Sequence, residues 1–401
     1  MLELEKIYFY LKGEALKVYS FLKKELSAWE INFKEINLSS EEKVLHLVFF
    51  KNFDLLTYFV SRLIEKLYCA GCWDLYVFYI DNVNEEAFDI GDFLGKFFYL
   101  VKKKVYQLGV FNYLNVNEVL NKYEEYKKKK KEIEMILKDK GEAGIKFFCQ
   151  VLVDDRERVS GYEILSRLEN FQGYLISPAN FFYVLEREKR LFLNFEELVF
   201  KKVVKEIKTN KVLKDFIKNT LDKKINVNFS MNFLINGFDV FKFYRSVLKD
   251  WIIIEVNEKD FIETVSEGVE AVRKLKELGY FVVLDDFGEG KNNFDRLFVL
   301  DYCGTKMGMF FSKLVKDMLR EVDREDIRKK FLFEVVRDLV YQIKLYDEDF
   351  YICFEGIEDE SVFKVVKNFV NAEKKYQGFL FGRPFLIEEK IKKNKEEEEK
   401  K

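Results

Sequence analysis

The chain has 401 residues, enough for more than one domain, and its formal net charge of -2 gives no general attraction to nucleic acid or an acidic membrane surface. Its single histidine, His46, excludes a His-based triad, a His-rich zinc site and most schemes with a histidine base. Any metal must be held mainly by oxygen ligands, which selects Mg²⁺, Mn²⁺ or Ca²⁺.

Hydrophobic residues make up 48% of the chain, enough for a sizeable core. Five cysteines, an odd number, do not read as a secreted disulfide framework. Cys69 and Cys72 form a lone C-x-x-C, open to packing, metal or redox roles. Glu3, Glu5 and Lys6 interrupt any signal peptide, and apolar runs such as VLHLVFF are far too short to span a bilayer. The expectation is a cytoplasmic protein with no membrane insertion and no DNA or RNA binding.

Residues 1–112 alternate strand-like and amphipathic segments. KIYFYL, EKVLHLVFF and DLYVFYID read as strands. EALKVYSFLKKEL, FDLLTYFVSRLIEKLY and GDFLGKFFYLVKKKV read as helices. Together they predict a small α/β or α+β domain. YVFYIDNVNEEAFDIGDFLG is faintly similar to the first half of a GGDEF cyclase domain, but no GG[DE]EF sequence follows. A ferredoxin-like sensory domain fits equally well.

Residues 113–141 read as a linker helix. Val119, Tyr123, Tyr126, Ile133 and Leu137 recur at three- and four-residue steps, with Lys130 breaking the seam. That pattern fits a short dimeric coiled coil or a helix lying on its own domain. Gly141 and Gly144 end it.

Residues 142–388 are more regular. Strand-like runs appear at FFCQVLVD, GYEILSRL, INVNFS, IIIEVNE, FVVLDDFG, CGTKMGMF, FYICFEGIE and YQGFLFGRPF. Amphipathic helices such as FKFYRSVLKD and EGVEAVRKLKELG separate most of them. Strands alternating with helices in this way predict a TIM-type (β/α)8 barrel. Residues 389–401 are almost all charged and read as a disordered tail.

The segment FVVLDDFGEG concentrates the chemistry. Its apolar run reads as a buried strand ending in Asp285 and Asp286. Two adjacent carboxylates there stay ionised only beside a cation or strong donors. The alternative is a helix N-cap at Asp286. Glu163, Asn228, Glu255, Lys306, Glu355 and Gln377 occupy comparable places on six other strands. In a parallel barrel those ends converge on one rim. Four or five carboxylates in one mouth repel each other, and one or two hard cations relieve the repulsion.

At this point the sequence resembles the EAL-domain family of cyclic di-GMP phosphodiesterases. The likeness runs in motif order over residues 145–388. GYEILSR is similar to the signature E-x-L-x-R, and IIIEVNE to E-x-T-E. DDFGEG matches DDFG-x-G, FEGIE resembles E-G-V-E, and QGFLFGRP resembles Q-G-[YF]-x-[FY]-[GS]-[RK]-P. NVNFS looks like the family's Asn-bearing strand, and TKMG aligns with K-x-D.

The resemblance implies a two-metal site for Mg²⁺ or Mn²⁺, with Ca²⁺ inhibitory. Glu163, Asn228, Glu255 and Asp285 would ligate one metal. Asp285 and Asp286 would hold the second, with Glu355 close by, directly or through water. Lys306 would contact the attacking water or phosphate, and Gln377 would position the water. Glu258 would brace the DDFG loop. Arg167 would pair with a phosphate through its planar fork. Gln150, matching the glutamine of Q-P-[IL], would sit near a guanine, with Leu165 and Asp286 also on the substrate side. A homodimer is the expected assembly.

The sequence also departs from the pattern. Gly308 replaces the Asp of K-x-D, Val151 the proline after the glutamine, Asn257 the Thr of E-x-T-E, and Cys303 an Asp before the lysine. An insert, REVDREDIRKK, follows Lys306. The expected activity is hydrolysis of cyclic di-GMP to linear pGpG. One alternative is a weak or inactive domain acting as a cyclic di-GMP receptor or signalling scaffold. Another is a metal phosphodiesterase acting on a different nucleotide.

Overall fold

A computed structural model of the chain describes residues 117–257, 265–288, 301–320, 327–369 and 372–389 and, before them, Lys23 and the strand segments given below. Most of the first expected helix and all of the next two lie outside the described residues. So do Cys69, Cys72, Glu258 and residues 390–401 of the charged tail. The chain divides into two compact units, Met1–Lys131 and Glu132–Lys401.

The first unit contains β1 (Leu4–Lys12), β2 (Phe33–Asn37), β3 (Glu42–Phe50), β4 (Leu75–Tyr79) and β5 (Leu114–Asn115) in the order β2-β3-β1-β4-β5. β1 runs antiparallel to β3 and β4, and β2 antiparallel to β3. β2-β3-β1-β4 with those directions is the strand order of a ferredoxin-like, split-βαβ sheet. The only histidine, His46, sits in β3 opposite Tyr8 of β1.

The helix Asn117–Met135 continues through residues 136–140 as a wider turn. Tyr123, Tyr126, Ile133 and Leu137 are all buried within the single chain. The side chain of Val119 lies outside the described residues.

The second unit is a closed eight-stranded barrel. Its strands are β6 (Ile145–Asp154), β7 (Val159–Glu169), β9 (Ile225–Phe229), β10 (Ile252–Asn257), β11 (Phe281–Phe287), β12 (Gly304–Met307), β13 (Tyr351–Phe354) and β14 (Lys375–Gln377). β8 (Leu175–Ile176) and β15 (Phe385–Leu386) add short pairings to β7 and β6. The parallel barrel expected from the strand pattern needs one correction: β6 is antiparallel to both neighbours, β7 and β14. Residues 155–158 alone join β6 to β7, too few for the crossover that parallel strands require.

Side chains alternate along each strand, so one in two faces the barrel interior. Leu152, Ile253, Val283, Tyr351 and Cys353 form a buried apolar cluster. Gly304 pairs in register with Tyr351, and a Cβ on it would lie 2.4 Å from that of Tyr351, so no larger residue fits. Two residues further along their strands come Glu255, Asp285, Glu355 and Lys306. The polar rim is thus carried on the same alternation as the apolar cluster, two residues further along each strand.

Candidate active site

Lys306 stands at the centre of the rim, with no exposed surface. Its ammonium nitrogen lies 2.6 Å from Glu355, 3.0 Å from Glu163, 3.1 Å from Glu255 and 3.5 Å from Asp285. Burial opposes its charge, but these four carboxylates outweigh burial and raise its pKa well above the ordinary value. Burial pushes Glu163 up as well. Lys306, together with donors from Gln377 and Asn228, overcomes this and holds Glu163 below its usual range. Glu255 goes the other way: burial, with Glu163 and Asp285 nearby, keeps it well above. Burial also pushes Asp285 to about 6 and Glu355 to about 8. One ammonium cannot balance four carboxylates.

The amides are built around this charge. Asn228 donates to Glu163 Oε1 at 2.6 Å, and Gln377 donates to Glu163 Oε2 at 2.6 Å. Gln377 also donates to Gln150 Oε1, and the Gln150 amide donates to the Gly382 carbonyl. Gln150 therefore holds Gln377 from the neighbouring strand. It is not among the described residues lining the cleft over the rim.

Asp286 reaches the rim by breaking the alternation. After Asp285, the next side chain of a regular strand would face outward. The β11–β12 register instead shifts between Leu284 and Phe287, and Asp286 takes φ 58°, the left-handed region. A bulge of this kind re-aims a side chain, and Asp tolerates that backbone better than most residues. Asn257 of β10 donates to Asp286 Oδ2 at 2.7 Å. Asp285, Asp286 and Glu355 then each offer an oxygen within 4.8 Å of the others, close enough for a single cation to bridge.

The rim fits divalent metal on two further counts. Asp285 Oδ1, an ion-pair distance of 3.5 Å from the Lys306 ammonium, and Gln377 Oε1 are buried oxygens that accept no hydrogen bond. Buried acceptors without donors are costly, and a hard cation satisfies them. The donor set is oxygen from carboxylate and amide throughout, as expected from the lack of histidine.

A cleft of about 600 Å³ opens on the rim. Glu163, Asn228, Asp285 and Asp286 line its polar end, and Leu165 and Arg167 continue from β7. Phe182 and Phe192 form an aromatic wall beyond. Arg167 lies over the Phe148 ring, 5.6 Å from its centroid, and donates to the Ser166 carbonyl.

Three contributors are not apparent from sequence motifs. Asn226 donates to Glu255 Oε1 at 2.6 Å. Its signal is its place two residues before Asn228, on the same strand face. Ser312 donates to the Glu355 carbonyl, and only the fold brings its helix there. Glu196, buried on the helix Lys189–Thr209, accepts from both the backbone and the hydroxyl of Ser230, just past β9. Nothing in the local sequence announces that contact.

Comparison with known proteins agrees with this geometry. Residues 144–384 match the EAL domain family. Biofilm architecture maintenance protein MbaA of Vibrio cholerae is 25% identical over 240 residues, 58% of this chain and 27% of its own length. Probable cyclic di-GMP phosphodiesterase PdeG of Escherichia coli is 25% identical over 256 residues, 61% of this chain and 45% of its own length. The chain thus matches less than half the length of either relative. The solved structure of EAL enzyme Bd1971 in a cAMP- and cyclic-di-GMP-bound form superposes with a TM-score of 0.56 at 14% identity, covering 97% of this chain and 94% of that one. That likeness shows a shared fold. With the family match spanning more than half of the chain, over the barrel that carries the acidic rim, the protein belongs to the EAL domain family.

Proposed function

We propose that this chain is a divalent-metal-dependent phosphodiesterase that hydrolyses cyclic di-GMP to linear pGpG. One observation carries the reading: four carboxylates, three of them buried and Glu355 partly so, share a single ammonium at the base of a cleft that also holds Arg167. Glu163, Asn228, Glu255 and Asp285 would hold one metal, and Asp285, Asp286 and Glu355 a second. Bound there, Mg²⁺ or Mn²⁺ would activate a water and offset charge on the phosphate oxygens.

The chain's own residues do the rest. Arg167 presents a planar fork suited to a phosphate of the dinucleotide. Gln377, fixed by Gln150, keeps Glu163 in one orientation while its own carbonyl oxygen is buried without a hydrogen-bond partner. Lys306 limits repulsion among the carboxylates and supplies positive charge where the phosphate would sit. The Phe182 and Phe192 wall offers flat apolar surface for a base.

The test is to incubate the purified protein with cyclic di-GMP in Mg²⁺, Mn²⁺ or Ca²⁺ and follow product. Mg²⁺ and Mn²⁺ should support hydrolysis. Ca²⁺ should bind without supporting it, because it accepts longer and looser coordination. Failure of both Mg²⁺ and Mn²⁺, with the dinucleotide still bound, would favour a receptor.

Gly308 is the specific reason to keep that second reading. It follows β12, and its amide donates to the Phe287 carbonyl beside the Asp286 bulge. A carboxylate there would add negative charge close to Lys306. Gly308→Asp should raise Mn²⁺ affinity or turnover about 10–100-fold, the scale typical of an outer partner of a metal site. A wild type already fast at low metal, with no gain in the variant, would show that the rim is complete without it.

A further inference from the structure

We infer that Asn226 and Asn257 are positioning residues that set the two halves of the metal centre independently, Asn226 by holding Glu255 and Asn257 by holding Asp286. The inference rests on the divalent-metal reading of the rim.

Asn226 is 2% exposed and Glu255 is fully buried. Lys306 touches four carboxylates and so selects none of them. The Asn226 amide is directional. Among the described residues it donates to Glu255 Oε1 at 2.6 Å and lies 3.5 Å from the Tyr351 hydroxyl. It acts from β9, where it pairs in register with Ile253, two residues before Glu255 on β10. A glutamate side chain has three rotatable bonds; Lys306 lies against both carboxylate oxygens, 3.1 Å from Oε1 and 3.2 Å from Oε2, and the Asn226 contact is what distinguishes them. An amide nitrogen must face the carboxylate, so the role needs a donor and not merely volume.

Asn257 does the corresponding work on the other side. It lies in register with Asp285 on β11. Its amide donates to Asp286 Oδ2 at 2.7 Å, at the residue whose backbone has φ 58°. The bulge turns Asp286 towards the rim, and the hydrogen bond fixes its carboxylate there. Asp286 offers one carboxylate oxygen to the cluster with Asp285 and Glu355. Asn228, which lies between these two in register, already bonds Glu163. Three asparagines on adjacent strands thus each orient a different carboxylate.

The experiment uses the full chain, stripped of metal, with Mn²⁺ as the probe and no nucleotide. Calorimetry and electron paramagnetic resonance give the number of bound Mn²⁺ and their affinities. Thermal unfolding without metal reports whether each variant is folded. The wild type should bind two Mn²⁺. Asn226→Leu and the smaller Asn226→Ser should each weaken one of them about 10–100-fold, and Asn257→Ala should weaken the other by a similar factor. Each should leave its unaffected site within threefold.

The decisive comparison is a cycle with Asp286→Asn, which already disables the second half. In that background Asn257→Ala should change nothing further, whereas Asn226→Leu should still weaken the remaining Mn²⁺. A merely structural role would move the metal-free melting temperature and both sites together. Two results overturn the inference alone: Mn²⁺ binding unchanged in both asparagine variants, or Asn257→Ala acting with full effect beside Asp286→Asn. A wild type that takes up no Mn²⁺ overturns the metal reading and the inference with it.

Discussion

Lys306→Met is expected to destabilise the metal-free protein by about 3–5 kcal/mol, the scale for removing one partner of a buried charge cluster. The ammonium is fully buried and lies within 3.5 Å of four carboxylates. Methionine fills much of the volume but leaves those carboxylates without a counter-charge. They can then only take up protons or admit water. Carboxyls with raised folded pKa values give stability that is present below their unfolded values and lost as pH rises through the folded ones. The variant should therefore unfold more easily at pH 8 than at pH 5, by a wider margin than the wild type. Mn²⁺ should restore much of the loss, because it binds only the folded rim. Urea unfolding at both pH values, with chelator and with Mn²⁺, measures this. Equal stability of variant and wild type in chelator would mean that the carboxylates do not depend on Lys306 for their charge balance.

Much of the rim is legible in the sequence because the alternation of a strand is a strict rule. Once FVVLDDFG and its counterparts are read as strands, Glu255, Asp285 and Lys306 fall on one face, and a barrel brings their ends together. The same rule conceals Asp286. It predicts an outward side chain there, and only the bulge between Leu284 and Phe287 reverses it. Gln150, which the family resemblance puts near a base, also bonds Gln377 and the Gly382 carbonyl, partners that its motif does not announce. A glutamine's partner across a barrel is set by closure, here between β6 and β14, which no local pattern encodes. The seam of Tyr123, Tyr126, Ile133 and Leu137 marks the right helix and leaves its covering open. Periodicity shows that a stripe is buried but not what buries it. Asn226 and Glu196 make their contacts over 29 and 34 residues of sequence, beyond the reach of motif reading.

Asp285→Asn is expected to abolish turnover of cyclic di-GMP, a loss well beyond the roughly 100-fold scale of an outer partner. Asp285 is the one carboxylate placed in both halves of the proposed centre. It is within 3.5 Å of Lys306 and also in the cluster with Asp286 and Glu355. The amide keeps the shape, and it removes the charge that two cations would share. The wild type should show a matching pH dependence of Mn²⁺ uptake. Burial lifts Asp285 from 3.8 to about 6 and Glu355 from 4.5 to about 8 in the metal-free protein. Both must lose protons to ligate metal, so affinity should climb as pH rises from 5 to 8, with protons released on binding. In Asp285→Asn the part of that climb near pH 6 should vanish, while the part that belongs to Glu355 should move to lower pH, because the Asp285 charge is one of the causes that raise it. Calorimetry in buffers of different ionisation heat counts the protons directly. Full hydrolysis by Asp285→Asn, or Mn²⁺ uptake with no proton release in the wild type, would place the metal outside this rim.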